Sequence, residues 1–356
     1  MPVTMESMPD SMAAGPGSHP EPDGTGATPP LRVLVLGAGG FIGRRVVQAL
    51  ARCGWARPLA AVHRNARGIP EQAPIVRLDA RQAGALQDAL AGIDAVVNCI
   101  AGDAATIVTS ARELFAAAAR QAAPPRIVHL STMMVYGSAR GTVDESAPLL
   151  GDWDGYSRAK AEVEVLAHPY PRVVHLRPGI VYGPDSPIWS GWMARWLEEG
   201  RLGDLGPAGR GCCNLVHVDD VVTAVLQSLR LAGIEGEAFN LSLPAPPTWN
   251  DYLRAYAAAL GCACVPITAV RLQWELRVLA PPLKLLQIAA DRLHLAWRPP
   301  QPIRPWLLRL CAQPLRLAVD KAEARLQMRW TPLDRGLQQS AAWYRAGAAA
   351  PAAARR

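Results

Sequence analysis

Several features that are common in other protein classes are missing from this 356-residue sequence. Its seven cysteines are an odd number, and no two of them form a C-x-x-C pair. A disulfide framework and a metal site are therefore not expected. The cysteine pattern instead predicts a reducing compartment. No stretch reaches the roughly 18 uninterrupted apolar residues that a membrane-spanning helix needs. Together these absences predict a cytoplasmic protein without a bound metal.

Charge is also sparse, because only 19% of the residues are Asp, Glu, Lys or Arg. The formal net charge of +7 fits a polyanionic ligand, nucleic acid or an anionic membrane surface. The basic residues are mostly Arg and are scattered with no run of five or more, so a nucleic-acid partner is not expected. A polyanionic ligand and an anionic membrane surface stay open, and the expected partner is a small-molecule substrate. Half of the residues are hydrophobic, which is ample for a globular core.

A glycine-rich turn joins the first predicted strand to the first predicted helix. The strand starts at Leu31, and Gly37, Gly40 and Gly43 follow it with the spacing G-x-x-G-x-x-G. Glycine at these positions permits a sharp turn, a close approach of a pyrophosphate to the backbone, and tight packing of the helix on the strand. The free N–H groups of the helix N-terminus favour phosphate. The motif predicts dinucleotide binding, with an ordinary tight turn as the alternative.

Basic residues follow the second predicted strand, where an acidic residue would bind the ribose 2′-hydroxyl of NAD. His63, Arg64 and Arg67 suit the 2′-phosphate of NADP instead. NADP(H) is therefore the favoured cofactor and NAD(H) a possible one, while a solvated basic loop is the alternative. Asp79 ends the third predicted strand, where it would either lie near the adenine ring or cap the next helix.

The strongest catalytic signal is a tyrosine and a lysine four residues apart, Tyr156 and Lys160, at the start of an amphipathic helix. They come 24 residues after Ser131 and Thr132, a hydroxyl pair at the end of the fifth predicted strand. The i, i+4 spacing puts the phenol and the ammonium on one helical face. A free tyrosine is a poor acid or base at neutral pH, and a nearby cation lowers its pKa toward the working range.

These motifs together resemble the extended short-chain dehydrogenase/reductase superfamily, in its NAD-dependent epimerase/dehydratase family, over roughly residues 31–345. The resemblance implies an α/β fold, a Rossmann-type doubly wound parallel sheet with a smaller C-terminal substrate lobe. It implies that Thr132 holds the substrate oxygen, that Tyr156 is the general acid/base, and that Lys160 holds the cofactor ribose and lowers the tyrosine pKa. It also implies a homodimer.

Further segments match the same family. Residues 176–184 resemble its R-P-x-x-x-Y-G-P stretch, whose backbone after the proline contacts the nicotinamide amide. Residues 214–221 resemble its V-H-V-D-D segment, in which an acidic residue ties the lobe to the sheet and His217 is a packed residue. The predicted cofactor-binding residues are Gly37, Gly40, Phe41, Ile42, Gly43, Arg64, Asp79, Ala101, Lys160, Pro178 and Ile180.

Two departures from the family pattern narrow the expected chemistry. Sugar 4,6-dehydratases have an Asp-Glu pair directly after the catalytic Ser/Thr, whereas Met133 and Met134 stand here and cannot transfer protons. Nucleotide-sugar enzymes tend to carry an arginine before the V-H-V-D-D strand to grip the diphosphate. Residues 212–214 read Cys-Cys-Asn, and Arg210 is the nearest candidate. Dehydration is therefore not expected.

Apolar residues surround the predicted reacting oxygen in place of these polar groups. Three tryptophans in the predicted lobe share one helical stripe, and core packing is the preferred interpretation for Trp196. The insert 270–319 is rich in Leu, Pro, Arg and Trp and resembles the region where sterol-dehydrogenase-like members (the 3β-hydroxysteroid type) keep a lid or membrane-touching helices. Peripheral membrane contact, a buried subdomain and a dimer surface all stay open for it. The predicted substrate-contacting residues are Ser131, Met133, Met134, Trp153, Trp189 and Trp192.

The predicted organisation is a disordered leader (1–30), an NAD(P)-binding Rossmann domain (31–177), a substrate lobe (178–345) and a disordered tail (346–356). Within the lobe, residues 216–242 are expected to return to the Rossmann core. The predicted function is carbonyl/secondary-alcohol interconversion on a largely apolar small molecule, with Tyr156 as acid/base. A nucleotide-sugar epimerase and a non-catalytic NADP-sensing protein are the alternatives.

Overall fold

The computed structural model describes residues 29–293 and 300–349. Strands and helices alternate through its first half, as in a parallel α/β sheet. The strands are β1 (Leu31–Leu36), β2 (Ala56–Val62), β3 (Ile75–Arg77), β4 (Ala95–Asn98), β5 (Arg126–Leu130), β6 (Gly141–Val143), β7 (Val173–Pro178), β8 (Ile180–Tyr182), β9 (Leu215–His217), β10 (Ala238–Leu241) and β11 (Leu315–Leu317).

Twelve α-helices are seen in the same residues. They are α1 (Phe41–Arg52), α2 (Ala83–Ala89), α3 (Ala104–Ala119), α4 (Gly155–Ala167), α5 (Met193–Glu198), α6 (Val218–Arg230), α7 (Trp249–Leu260), α8 (Ala269–Trp274), α9 (Ala280–Arg292), α10 (Pro305–Cys311), α11 (Asp320–Leu326) and α12 (Leu333–Ala349).

Seven parallel strands form the central sheet in the order β10-β7-β5-β4-β1-β2-β3. The chain leaves β1 on one side toward β2 and β3, and later returns on the other side with β4. At such a reversal the crevice beyond the carboxyl ends of the strands binds ligands. The predicted Rossmann-type doubly wound sheet is confirmed.

Apolar burial on both faces explains why these strands lie in the middle of the sheet. Residues Val33–Leu36 of β1 and all of β4 are buried, as expected for parallel strands that helices cover on both sides. In α1 the buried face consists of Gly43, Val46, Val47 and Leu50. The sheet and α1 therefore form one hydrophobic core, to which α6 and β10 also contribute.

The substrate lobe contributes two small parallel sheets, β8 with β9 and β6 with β11. The Asn214 side chain joins them: its Nδ2 donates to the Leu315 carbonyl at 2.7 Å, and its Oδ1 accepts from the Leu317 backbone N–H at 3.0 Å. Strand β6 lies between the Ser131–Thr132 turn and helix α4. The lobe is thereby hydrogen-bonded to the loop that precedes the predicted catalytic tyrosine.

The insert 270–319 folds into helices whose outer face is apolar. Helices α8 and α9 are joined by a π-helical turn, Glu275–Leu279, into one helical run. Seven of the ten exposed large hydrophobic side chains in the described part of the chain belong to it: Val270, Trp274, Val278, Leu285, Leu286, Ile288 and Leu293. None of the helices in the described ranges is both long and apolar enough to span a bilayer.

The ends of the chain differ from expectation at one place. Helix α12 continues to Ala349, so residues 346–349 are helical, although the predicted disordered tail began at residue 346. The alanine-rich composition of this segment favours a continuing helix. The remainder of that tail, residues 1–28 of the predicted leader and residues 294–299 of the insert lie outside the described residues.

Candidate active site

The glycine turn between β1 and α1 has the geometry that the motif predicts. Gly37 has φ +72°, and a Cβ there would lie 2.9 Å from the Cys99 carbonyl oxygen. A Cβ on Gly43 would lie 2.3 Å from the Gly37 carbonyl oxygen, so only glycine lets α1 pack this closely. Helix α1 begins at Phe41 with no side-chain cap, which leaves its first N–H groups free for an anion.

Two cavities of about 510 Å³ each flank this helix N-terminus. Gly40 lines the first cavity and the next residue, Phe41, lines the second. A dinucleotide has two nucleoside halves joined by a pyrophosphate, so two cavities on either side of a helix N-terminus fit it. Nine predicted cofactor residues divide between them: Gly37, Gly40, Arg64, Asp79 and Ala101 line the first, and Phe41, Ile42, Pro178 and Ile180 line the second. The other two, Gly43 and Lys160, line neither cavity.

The first cavity carries charged groups of both signs, the arginines Arg64 and Arg81 and the carboxylates of Asp79 and Asp103. His63, Arg64 and Asn65 line it from the loop after β2. Arg81 also lines it and pairs with Asp79 at 2.6 Å, and this hydrogen-bonded cation holds the pKa of Asp79 well below its usual value. Asp79 does not cap the next helix, because α2 begins after Gln82 without a side-chain cap. Of the two roles predicted for Asp79, the one beside the cofactor cavity is compatible with the structure.

The second cavity brings together all the predicted catalytic and substrate residues except Lys160 and Trp192. It is lined by Phe41, Ile42, Ser131, Thr132, Met133, Met134, Trp153, Asp154, Tyr156, Pro178, Gly179, Ile180, Val181, Ser186, Pro187, Ile188, Trp189, Trp306 and Leu310. No lysine or arginine is among these described lining residues. Its walls are thus mainly apolar and aromatic, with hydroxyl groups at one end.

Thr132 and Tyr156 are hydrogen-bonded to each other at that end. The Thr132 hydroxyl caps a 3₁₀ turn, Met133–Tyr136, by accepting from the Met134 backbone N–H at 3.3 Å, so its own proton is free to be donated. Burial raises the pKa of Tyr156, and the hydrogen bond from Thr132 opposes this. The expected lowering by Lys160 is not present in the protein alone, because Lys160 is not among the groups that shift the pKa of Tyr156.

Lys160 lies one helical turn further along α4 and is almost fully buried. Its ammonium donates to the Leu130 carbonyl at 2.7 Å and to the Ile100 carbonyl at 3.4 Å, which places it between the ends of β5 and β4. Burial lowers the pKa of Lys160 to about 8, and Cys99 and Glu164 oppose this. The ammonium is therefore charged at neutral pH, with little margin.

Ser131 is not available to a substrate in the way that was expected. It lines the cavity, but its hydroxyl donates to Glu164 Oε1 at 2.5 Å. The sequence showed only a Ser-Thr pair. Which of the two hydroxyls faces α4 depends on how β5 ends, and this cannot be inferred from the sequence alone.

Trp192 does not line the second cavity, so the structure does not place it with the other predicted substrate residues. Residues Pro187–Trp192 form a π-helical turn, and the three-residue spacing of an α-helix no longer keeps Trp189 and Trp192 on one face. Trp189 lines the cavity, whereas the Trp192 ring lies against Trp196, at 6.0 Å between centroids, and under the Arg304 guanidinium. Trp196 is a core residue, as expected.

The V-H-V-D-D segment has a structural role. Asp220 accepts from the Thr331 N–H at 3.0 Å and from its hydroxyl at 2.7 Å, which ties α6 to the chain before α12. His217 is buried, packs edge-on against Tyr182, and caps α6 by accepting from the Asp219 N–H. Within the described ranges, no group of His, Cys, Asp or Glu side chains is arranged to bind a metal.

Several residues of this site were not singled out from the sequence, and Trp306, Leu310 and Glu164 are the most informative of them. Trp306 and Leu310 of α10 line the second cavity, although they come from the insert and lie about 150 positions after Tyr156. Glu164 lies two turns after Tyr156 on the same helical face, so the spacing Tyr-x-x-x-Lys-x-x-x-Glu was a signal that could have found it.

A model of the NAD-dependent epimerase/dehydratase family matches residues 33–242. This range includes the glycine turn between β1 and α1, and also Thr132, Tyr156 and Lys160. The chain belongs to this family. The family description names NAD as the cofactor, in agreement with the glycine turn before α1.

Three curated relatives match different shares of this chain. Protein YeeZ of Escherichia coli (strain K12) is 33% identical over 141 residues, 38% of this chain and about half (47%) of YeeZ. A 3-diazoavenalumate denitrifying reductase from Streptomyces sp is 30% identical, covering 65% of this chain and 82% of the reductase. A 4-hydroxy-2-methyl-3-oxo-4-farnesyl-3,4-dihydroquinoline-1-oxide ketoreductase from Stigmatella aurantiaca is 27% identical, covering 68% and 78%.

Solved structures of the same family share the fold. The UDP-glucuronic acid 4-epimerase from Bacillus cereus in complex with NAD has a TM-score of 0.66 and 21% identity, and the match covers 88% of this chain and 97% of that one. At 21% identity, this likeness shows that the two chains share the Rossmann-type fold.

Proposed function

We propose that this protein is an NADP(H)-dependent oxidoreductase that interconverts a carbonyl and a secondary alcohol on a largely apolar, ring-containing small molecule. The observation that carries the proposal is the cavity beside Tyr156. Trp153, Trp189 and Trp306 line it, and its described lining residues include no cation. Aromatic walls favour flat apolar substrates, whereas a nucleotide diphosphate needs cationic or N–H donors to replace its solvation.

Relatives support a reductase over the alternatives. Two of them are named as a reductase and a ketoreductase, and each match covers more than three quarters of the relative. The epimerase with the similar fold acts on a UDP-sugar, for which the second cavity offers no basic residue. Arg210, the nearest predicted candidate for gripping a diphosphate, is absent from its lining. The sensor alternative is not favoured, because Thr132 and Tyr156 line the second cavity together and Lys160 follows on the same face of α4.

The residues of the site suit proton transfer at a carbonyl oxygen. Bound NADPH would supply the hydride that the carbonyl carbon receives. As the C=O π bond breaks, the oxygen takes a proton from the Tyr156 hydroxyl while Thr132 holds that oxygen by a hydrogen bond, and the product is the alcohol. Solvent then reprotonates the resulting phenolate, while the Lys160 ammonium, one helical turn further along α4, is held by the Leu130 and Ile100 carbonyls.

NADP(H) is preferred over NAD(H) because of the first cavity. Arg64 and His63 line it at the end of β2, and Arg81 lines it after β3. The Asp79 carboxylate is already paired with Arg81, so it is less available to a ribose hydroxyl. A dianionic 2′-phosphate gains charge-assisted hydrogen bonds from such a cluster.

We also propose that the outer face of α8 and α9 contacts an anionic membrane surface. Its exposed hydrophobic side chains occur with Arg277, Lys284 and Arg292, and the described exposed charges of this helical run are all basic. Glu275 is buried and paired with Arg201. An apolar face with flanking cations is typical of helices that lie in a bilayer interface. The homodimer and the cytoplasmic location stay predictions.

Replacing Tyr156 by Phe tests the proposed chemistry. We expect the oxidation of NADPH with phenanthrenequinone, a flat tricyclic diketone, to slow by about 10²–10⁴-fold, while NADPH affinity measured by fluorescence stays unchanged. Tyr344→Phe removes a hydroxyl near the surface, away from the cavity, and is the control. Undiminished turnover by the Tyr156 variant would refute the mechanism, and no turnover of any ketone by the wild type would favour the sensor.

A further inference from the structure

Glu164 is a buried carboxylate on the same face of α4 as Tyr156 and Lys160. Its Oε1 accepts from the Ser131 hydroxyl at 2.5 Å and from Arg177 Nε at 3.0 Å. Its Oε2 accepts from Arg177 Nη2 at 2.6 Å. Both oxygens are therefore saturated, which is what a buried ionised carboxylate requires.

Each partner of Glu164 directly precedes a residue of the second cavity. Ser131 precedes Thr132, which holds the predicted substrate oxygen, and Arg177 precedes Pro178, where the family contacts the nicotinamide. The carboxylate thus joins the ends of β5 and β7 to the helix that carries Tyr156. The guanidinium extends the network, since Arg177 Nη1 donates to the Tyr136 hydroxyl at 2.8 Å.

The charges around this network are compensated in pairs. Burial raises the pKa of Glu164, but the hydrogen bonds from Arg177 outweigh it, and the net result is a pKa below the usual value. Burial lowers the pKa of His175 to about 4, so this neighbour is neutral. Burial lowers the pKa of Lys160, and the negative charge of Glu164 raises it in part. The titratable groups facing Glu164 and Lys160 are Cys99, His129, His175, Arg177 and, through Arg177, Tyr136.

We propose that Glu164 is a positioning residue of the active site, which holds Thr132 through Ser131 and Pro178 through Arg177, and whose charge balances that of Lys160. The expected changes in turnover rest on the proposed reductase function. A purely structural ion pair would fix the fold without altering the ionisation of Lys160 or the geometry at Thr132. The two roles therefore differ in pH dependence and in turnover.

The test is Glu164→Gln in the full chain, with Glu162→Gln as the matched control. Glu162 is on the same helix, but it is exposed and only 3.6 Å from Arg112 in a surface pair. For Glu164→Gln we expect the kcat for phenanthrenequinone to fall by about tenfold to a hundredfold. We also expect the alkaline limb of the pH profile to move to lower pH, because Lys160 loses a stabilising negative charge. Glu162→Gln should match the wild type.

Ser131→Ala is the second variant, because it keeps the Glu164–Arg177 pair and removes only the link to Thr132. It should lower kcat with little change in NADPH affinity, and its effect should be largely absent in the Glu164→Gln background. The proposal is overturned if both variants keep the wild-type kcat per NADPH-binding site and the wild-type alkaline limb, even with a lower melting temperature.

NADPH affinity separates this inference from the proposed function. If the wild type reduces no carbonyl, the reductase assignment fails, and the pH at which NADPH affinity declines still reports on Lys160. That pH should be lower in Glu164→Gln than in the wild type, whereas equal values would overturn the role of Glu164.

Discussion

Lys160 should destabilise the folded protein at neutral pH, so its replacement by Met should stabilise it. Burial lowers the pKa of Lys160 from 10.5 to about 8, which corresponds to about 3 kcal/mol of unfavourable free energy for the buried ammonium. The Met variant avoids this cost but leaves the Leu130 carbonyl without its donor, which costs about 1 kcal/mol. We therefore expect a net stabilisation of about 2 kcal/mol at neutral pH.

The stabilisation by Lys160→Met should decrease with rising pH in a defined way. Between the folded pKa of about 8 and the unfolded value of 10.5, the unfolded chain binds more protons at Lys160 than the folded protein. Wild-type stability at this site therefore rises with pH through that interval. Because the Met variant has no such titration, its advantage should shrink as the pH rises and disappear near the unfolded pKa.

Urea unfolding of both proteins at several pH values between about 7 and 10 measures this difference. Lys284→Met is the control, because Lys284 is exposed on α9 and its removal should not alter the pH dependence. A Lys160→Met variant that is less stable than the wild type at neutral pH, or whose advantage does not depend on pH, would refute the reasoning. The same variant should be catalytically impaired, so stability and activity would change in opposite directions.

Three further predictions concern the cavities and the exposed helical face. Arg64→Ala should raise the Kd for NADPH by about tenfold or more and that for NADH by less than about twofold, and equal losses in titration calorimetry would contradict the 2′-phosphate assignment. Trp189→Ala should raise KM for phenanthrenequinone several-fold, whereas Trp192→Ala should not, since only Trp189 lines the cavity; equal effects would contradict this placement. Leu285→Glu should reduce co-sedimentation with phosphatidylserine vesicles without changing turnover in solution, and undiminished sedimentation would exclude this face from membrane contact.

The sequence predicted the parts of the fold that depend on local chemistry. The glycine spacing fixed the turn before α1, because Gly37 and Gly43 meet backbone atoms that no side chain could approach. The i, i+4 pair of Tyr156 and Lys160 placed both on one face of α4, since the helix period is constant.

Long-range contacts were not predictable in the same way. The helical period was assumed for Trp192, and a π-helical turn removed it from the cavity. Trp306 reaches the cavity only because α10 packs against Trp153 and Trp189, which no short pattern indicates. Similarly, Ser131 looked like a substrate group because its acceptor, Glu164, lies 33 residues away.

Asn214 and strands β6 and β11 have a consequence for how a ligand enters. The amide of Asn214 and the β6–β11 ladder fasten the C-terminal lobe to the segment just ahead of α4. A hinge that swung the lobe away would have to break these backbone bonds in the protein interior. We therefore expect a ligand to enter the second cavity without domain opening, past the rim where Arg309 covers the indole of Trp153.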